Sequence, residues 1–143
     1  MTIKQLSVFL ENKSGTLQHV LRTLKEEQIQ LIASTLADTM DFGIYRIICS
    51  TPQRAYEVLR AAGVAVTYSD VFAIQLDNRP GMAAEVMALF ANEEIGISYL
   101  YSFLLGGKGI LVFRTDRPDR AREIIALEHL KFLTDGDLQA YAD

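Results

Sequence analysis

Two short segments of the chain carry residue types that can bind small charged molecules. They are residues 11–15, with the sequence ENKSG, and residues 77–81, with the sequence DNRPG. Each segment separates a strand-like pattern from a helical pattern, so we expect a tight corner at the beginning of a helix. The first N–H groups of a helix lack partners within it, and the aligned peptide dipoles favour an anion there. Each corner therefore predicts a site for a carboxylate or a similar anion.

Three residue types recur in both corners and extend this chemistry. Each corner holds an asparagine, a basic residue and a glycine at the same spacing: Asn12, Lys13 and Gly15, and Asn78, Arg79 and Gly81. Glycine lets a ligand come close to the backbone, and the asparagine amide can donate to a carboxylate or accept from an ammonium group. With the added positive charge, these groups suit a zwitterionic amino acid. The same residues also serve turn geometry alone, and the sequence leaves this alternative open.

An internal repeat positions the two corners. Residues 11–21 (ENKSGTLQHVL) align with residues 77–87 (DNRPGMAAEVM) at a spacing of 66 residues, and the match continues without a gap. Ile29, for example, falls on Ile95. Two copies of one unit thus make up nearly all of the chain. The repeat predicts two domains, residues 1–68 and residues 69–143.

Each copy shows the same order of secondary-structure patterns. A strand comes first, and the corner and an amphipathic helix follow, with Ser14 as the expected N-cap of one helix and Pro80 in the first turn of the other. A hairpin of two strands, a second helix and a fourth strand complete each copy; the fourth strands are VAVTY (residues 64–68) and KFLT (residues 131–134). This βαββαβ order predicts an α+β fold with two tandem ferredoxin-like units. Residues 135–143 form a short acidic tail without a recognisable motif.

At the two corners the chain resembles ACT domains, the small ligand-binding modules that regulate amino-acid metabolism. Residues 77–97 (DNRPGMAAEVMALFANEEIGI) closely resemble their usual opening, in which an acidic residue, a basic residue, Pro and Gly precede a helix. Residues 11–31 (ENKSGTLQHVLRTLKEEQIQL) carry the same signature, with Ser14 where Pro is commoner. The resemblance covers about residues 3–134 and identifies the chain as similar to two tandem ACT domains.

The resemblance implies that the two domains join side by side through their second strands into an eight-stranded antiparallel sheet, with the helices on one face. It also implies that an amino acid binds between the corner of one domain and the second strand of its neighbour. The first implied site comprises Asn12, Lys13, Ser14, Gly15, Thr16 and Leu17 with Tyr99, Leu100 and Tyr101. The second implied site comprises Asn78, Arg79, Pro80, Gly81, Met82 and Ala83 with Ile32, Ala33 and Ser34.

The resemblance further implies a non-catalytic regulatory protein that binds an amino acid at the interface between ACT domains and acts on a separate metabolic enzyme. Two alternatives stay open. A structural module that mediates dimerisation without a ligand would have the same sequence features. An enzyme resembling acylphosphatases would use an arginine at this corner, as Arg79 could supply, but the first copy has Lys13 there and the adjacent strand offers no suitably positioned asparagine.

Composition limits the partners and cofactors that we expect for this protein. Half of the 143 residues are hydrophobic and the net charge is −4, which favours a globular protein and disfavours nucleic acid as a partner. The single cysteine, Cys49, excludes an internal disulfide and a Cys-x-x-Cys metal pair, and no cofactor is expected. No apolar run is long enough to span a membrane and no signal peptide is recognisable, so we expect a cytoplasmic protein. An aromatic stripe formed by Tyr99, Tyr101 and Phe103 predicts a homodimer.

Overall fold

The chain has the predicted α+β character. A computed structural model describes residues 1–11, 13–38 and 41–142, and these contain six strands and five helices. They divide into two compact units, which we call the N-terminal unit (Lys4–Asp70) and the C-terminal unit (Val71–Tyr141, joined by Met1–Ile3). The domain ranges 1–68 and 69–143 stay a prediction.

The N-terminal unit follows the order expected of the first copy. Its elements are β1 (Thr2–Leu10), α1 (Lys13–Glu26), β2 (Leu31–Asp38), β3 (Gly43–Cys49) and α2 (Pro52–Ala61). The antiparallel strands are ordered β2-β3-β1. The buried residues Leu6 of β1, Val20 of α1 and Leu59 of α2 belong to one apolar core. Because alternate residues of a strand share a face, both helices cover the same face of these strands.

The C-terminal unit repeats this arrangement. Its elements are the part of β4 (Val66–Leu76) from Val71 onward, α3 (Met82–Ala91), β5 (Ile97–Leu105), β6 (Lys108–Thr115), α4 (Pro118–Leu127) and α5 (Asp135–Ala142). The antiparallel strands are ordered β4-β6-β5. In the core, the rings of Phe90 and Phe113 meet edge to face with their centroids 5.1 Å apart. Such aromatic pairs add to the stability that apolar burial already provides.

The expected eight-stranded sheet is wrong, because the described residues form six strands. The predicted fourth strand of the first copy is not separate: its alternating pattern continues into β4 without a Gly or Pro, while Ala65 accepts a hydrogen bond from the Phe9 N–H over 3.0 Å. The predicted fourth strand of the second copy is reduced to one bridge between Ile74 and Phe132. β2 and β5 are each an edge strand of their own unit, and the expected joining through second strands stays a prediction.

Both predicted helix starts differ from the structure. Ser14 is not an N-cap, because α1 already begins at Lys13. Pro80 is not in the first helical turn, because Gly81 occupies the N-cap position of α3 with φ 87° and ψ −7°. This left-handed conformation cannot continue into a right-handed helix, so α3 begins only at Met82.

The acidic tail forms a helix that the sequence interpretation missed. Thr134 precedes α5, and its N–H and hydroxyl both donate to the Asp137 carboxylate, over 2.8 and 3.0 Å. This back-bonding from the first turn is one half of a capping box. Leu138, which is 3% exposed, anchors the helix.

Helices α1 to α4 all end in the same hydrogen-bonded turn. In each, an N–H three or four residues beyond the helix end donates to a carbonyl five residues earlier: Ile29 to Leu24, Val64 to Leu59, Ile95 to Phe90 and Leu130 to Ile125. The residue before the donor has a positive φ in every case: Gln28 (56°), Gly63 (82°), Glu94 (58°) and His129 (53°). This is the Schellman motif, which glycine serves best. Three of the four turns therefore carry a strained non-glycine residue.

Candidate functional site

The second corner opens onto a cleft of about 400 Å³, which we call the C-terminal cleft. This volume lies within the usual range of ligand pockets, roughly 300–1,000 Å³. The lining residues come from the corner, the start of α3 and the facing ends of β4, β5 and β6: Leu76, Asp77, Asn78, Arg79, Gly81, Met82, Ala83, Ser102, Phe103, Leu104, Gly109, Ile110 and Leu111.

Gly81 determines the shape of this corner. A Cβ built at Gly81 would meet no heavy atom within 4 Å, so the left-handed backbone, and not crowding, requires glycine. Before it, the Arg79 N–H donates to the Asp77 carbonyl over 2.8 Å. After it, the Glu85 N–H donates to the Gly81 carbonyl over 3.0 Å and starts the helical ladder. The chain thus turns sharply and directs the start of α3 toward the cleft.

The start of α3 offers backbone donors to a ligand. Within the described chain, no side chain caps this helix N-terminus by a hydrogen bond. Its first N–H groups therefore stay available to an anion, as does the favourable end of the helix dipole. Arg79 adds an exposed positive charge, while Asp77 and Asn78 bring exposed oxygen acceptors to the same cleft. The arrangement can hold the carboxylate and the ammonium group of one zwitterion.

The β5–β6 hairpin supplies an apolar wall. Its two-residue turn, residues 106–107, has φ values of 57° and 76°, the double left-handed conformation of a type I′ turn. This turn determines the register, in which Leu104 lies opposite Gly109 and Gly109 lies opposite Leu76. Both leucines therefore lie on the helix-facing side of the strands, separated by a residue without a side chain.

The first corner borders a different cleft of about 480 Å³, which we call the N-terminal cleft. It lies between the start of α1 and the loop that follows α2, and it is lined by Phe9, Glu11, Gly15, Thr16, His19, Gly63, Val64 and Ala65. Its side chains are more polar than those of the C-terminal cleft. The exposed His19 ring places Nε2 3.0 Å from the Ala62 carbonyl oxygen and so spans α1 and the end of α2.

The structure brings together only part of the first predicted site. Gly15 and Thr16 line the N-terminal cleft, Ser14 is exposed on α1, and Leu17 packs against the core. Asn12 and the side chain of Lys13 lie outside the described residues. The roles predicted for these residues in ligand binding stay predictions.

The structure brings together more residues of the second predicted site. Asn78, Arg79, Gly81, Met82 and Ala83 all line the C-terminal cleft, whereas Pro80 is exposed in the turn and is not part of the lining.

The strand residues predicted for both sites lie on edge strands and line neither cleft. Ile32, Ala33 and Ser34 belong to β2, and Tyr99, Leu100 and Tyr101 belong to β5. The sequence interpretation instead missed Ser102, Phe103 and Leu104, the next residues of β5. The signal that could have found them is the Gly106-Gly107 turn, which sets the hairpin register and places the end of β5 beside the corner.

Two duplicated ion pairs join the second helix of each unit to the segment that follows its first helix. The guanidinium of Arg54 lies 2.6 Å from the Glu27 carboxylate, and that of Arg120 lies 2.7 Å from the Glu93 carboxylate. The hydrogen bond to Glu93, together with a second one to Glu123, raises the pKa of Arg120. The two pairs are equivalent positions of the repeat, so we assign them to the helix packing that both units share.

Other reactive groups are few in the described part of the chain. Burial raises the pKa of the Cys49 thiol from 9.0 to about 11, so the thiol stays protonated and unreactive at neutral pH. The described residues hold no group of three or more His, Cys, Asp and Glu side chains that could bind a metal ion. None of the helices in the described ranges has the length and apolar character needed to cross a membrane. The cytoplasmic location stays a prediction.

Comparisons with known proteins add to this geometry. A family model described as an ACT domain pair matches residues 1–142. No curated protein matches the chain. Among solved structures, protein BT0572 from Bacteroides thetaiotaomicron is similar, with 39% sequence identity and a TM-score of 0.90 over 97% of this chain and 96% of that chain.

Two more distant structures share the fold alone. The regulatory subunit of aspartate kinase from Thermus thermophilus, in its ligand-free form, has 12% identity and a TM-score of 0.59 over 87% of this chain and 91% of that chain. The regulatory subunit of aspartate kinase from Thermus flavus has 14% identity and a TM-score of 0.57 over 88% of this chain and 90% of that chain.

Proposed function

The chain belongs to the ACT domain pair family, a family of regulatory domains, and on this premise we propose that it is a non-catalytic regulatory protein that senses an amino acid. The C-terminal cleft carries this proposal. It combines a helix N-terminus without a side-chain cap, an exposed arginine and two oxygen-bearing side chains beside an apolar wall. These are the groups that an α-amino acid needs for its carboxylate, its ammonium group and its side chain.

The proposed target is a separate metabolic enzyme. The fold relatives from the two Thermus species are regulatory subunits of aspartate kinase, which supports a role of the same kind for this chain. Transmission requires that the ligand bind one arrangement of the protein more tightly than another, because equal affinity for both would shift nothing.

A homodimer is part of the proposal. The edge strands β2 and β5 present exposed leucines, with Leu36 46% and Leu100 45% exposed. An exposed apolar edge strand is a favourable place for a strand of another molecule to pair. In such a dimer, the second-strand residues 32–34 and 99–101 would contribute to sites shared between ACT domains, as the family resemblance implies.

A thermal-shift screen against the proteinogenic amino acids, with calorimetry of any hit, tests the proposed function. A ligand that binds only the folded protein stabilises it by about 2.7 kcal/mol at a hundredfold excess over its Kd. We expect one amino acid or a small related group to raise the unfolding midpoint. If folded protein shows no shift with any of them, the role of amino-acid sensor is refuted.

Two variants connect a hit to the cleft. Arg79→Ala removes the cation beside the α3 N-terminus and should weaken the hit, whereas Arg22→Ala removes the same charge from the exposed side of α1 and should leave affinity unchanged. Equal loss in both variants would indicate a non-specific effect of net charge and would contradict a site at the C-terminal cleft.

A further inference from the structure

Resting on this proposed function, we propose that each chain binds a single amino acid with an apolar side chain, in the C-terminal cleft, and that Leu104 selects it. The polar groups that would hold the carboxylate and ammonium lie at the corner end of the cleft, around Arg79 and Asp77. The apolar wall consists of Leu104 from the β5–β6 hairpin, together with Leu76 and Met82, which flank the corner. A ligand oriented by the polar end would direct its side chain toward that wall.

Leu104 is the residue that a ligand would change most. It is 65% exposed, whereas Leu76 is 9% exposed and already part of the core. Covering exposed apolar surface with a ligand favours binding, in proportion to the area that is removed from water. An apolar ligand side chain would therefore gain from contact with Leu104, while a charged one would lose its hydration there without finding a partner.

The N-terminal unit supplies a natural comparison, because the positions equivalent to Leu104 and Met82 are polar there, while the position equivalent to Leu76 is also a leucine. Asp38 lies opposite Gly43 in the β2–β3 hairpin, as Leu104 lies opposite Gly109 in the β5–β6 hairpin. The repeat spacing of 66 residues likewise makes Thr16 the counterpart of Met82. At the position of the apolar wall, the N-terminal unit thus presents a carboxylate and a hydroxyl.

This difference predicts that the two corners do not bind the same ligand. An apolar ligand side chain would gain nothing from contact with the Asp38 carboxylate, which would lose hydration beside it. Duplication has therefore produced two corners, of which the second has the lining that an apolar amino acid requires.

Calorimetric titration of the full chain tests the inference. The probes are L-leucine, L-isoleucine, L-methionine and L-phenylalanine, with L-lysine, L-glutamate and L-serine as polar counterparts. We expect the four apolar amino acids to bind, with one molecule bound per chain. Leu104→Ala should weaken the best probe at least about tenfold, the effect of losing contact with one leucine side chain.

Two control variants make the result specific. Leu127→Ala removes another leucine of the same unit, 71% exposed at the end of α4 and outside the cleft, and should leave affinity unchanged. Asp38→Ala changes the equivalent position in the N-terminal unit and should also leave it unchanged. Circular dichroism establishes that each variant is folded, which is expected because all three side chains are exposed.

The outcomes separate this inference from the proposed function. Binding of only polar amino acids, binding of two molecules per chain, or full affinity in Leu104→Ala would overturn the inference and leave an amino-acid sensor standing. Failure of every amino acid to bind the folded protein would refute both.

Discussion

Replacing the glycine of each corner by alanine should have opposite effects on stability. Gly81 and Gly15 are equivalent in the repeat, yet Gly81 has a φ of 87° at the N-cap of α3, whereas Gly15 lies inside the first turn of α1. Gly81→Ala places a Cβ on a left-handed backbone, and Gly15→Ala places one on a right-handed helix. The stabilities of the two variants therefore test the shape of the second corner, on which the C-terminal cleft depends.

The magnitudes follow from the backbone alone at Gly81, because a new Cβ there meets nothing within 4 Å. A left-handed residue with a Cβ costs about 1–2 kcal/mol, and the loss of freedom in the unfolded chain returns about 0.4–1 kcal/mol. The free energy of unfolding should thus fall by about 1 kcal/mol in Gly81→Ala. In Gly15→Ala it should rise by about 0.5 kcal/mol, because alanine favours a helix and restricts the unfolded chain.

Urea unfolding followed by circular dichroism measures both changes. The slope of the free energy against urea should stay as in the unmodified protein, so that the midpoints report stability alone. If Gly81→Ala is as stable as the unmodified protein, or if Gly15→Ala is the more damaged variant, the left-handed corner and its consequences for the cleft are refuted.

Three further predictions concern the scaffold. Gln28→Gly and Glu94→Gly should each raise the free energy of unfolding by about 0.5–1 kcal/mol, because glycine relieves the left-handed strain at the ends of α1 and α3; a lower urea midpoint would contradict this. Because burial raises the pKa of Cys49 from 9.0 to about 11 in the folded state, its contribution to stability is complete below pH 9 and is lost as the pH rises to 11, by about 2–3 kcal/mol. Cys49→Ala should lack this component in unfolding curves collected across that range, and an identical pH dependence in both proteins would refute it. Asp137→Ala should cost about 1 kcal/mol by removing the capping bonds of α5, and unchanged protease sensitivity of the C-terminus would argue against the cap.

The parts of the fold that the sequence predicted are those with a repeated local pattern. The alternating apolar residues of β1, such as Leu6 and Val8, and the equivalent Phe72 and Ile74 of β4 are buried as their period of two indicates. The matching glycines allowed both hairpins to be predicted. In the structure, Gly43 and Gly109 occupy the same register position, each opposite the last residue of the strand that precedes a corner.

Strand number was not predictable in the same way. A period of two shows that a segment is extended, but it does not show where one strand ends when no Gly or Pro interrupts it, as in the eleven residues of β4. The helix α5 was missed because its eight residues are fewer than the window over which a helical period can be recognised. Its Thr-x-x-Asp opening, Thr134 to Asp137, was the available signal.

The candidate site was half predictable. The corner residues Asn78, Arg79 and Gly81 could be proposed from type and spacing, since glycine, amide and cation have recognisable uses near a helix start. The apolar wall could not be proposed in this way, because the contribution of Leu104 depends on the hairpin register, which aligns it with a corner that is distant in sequence. Asp38 at the equivalent position becomes meaningful only once that register is known.

A titration followed by NMR tests whether an amino acid binds at the C-terminal cleft. Isotope-labelled protein would be titrated with L-leucine, or with the strongest apolar hit of the calorimetric series, while the amide signals are recorded. A carboxylate bound at the C-terminal cleft should shift the amides of Met82 and Ala83, at the start of α3, with one saturating affinity that Arg79→Ala weakens. Saturable binding that leaves the signals of these two amides unshifted would contradict a site at the C-terminal cleft.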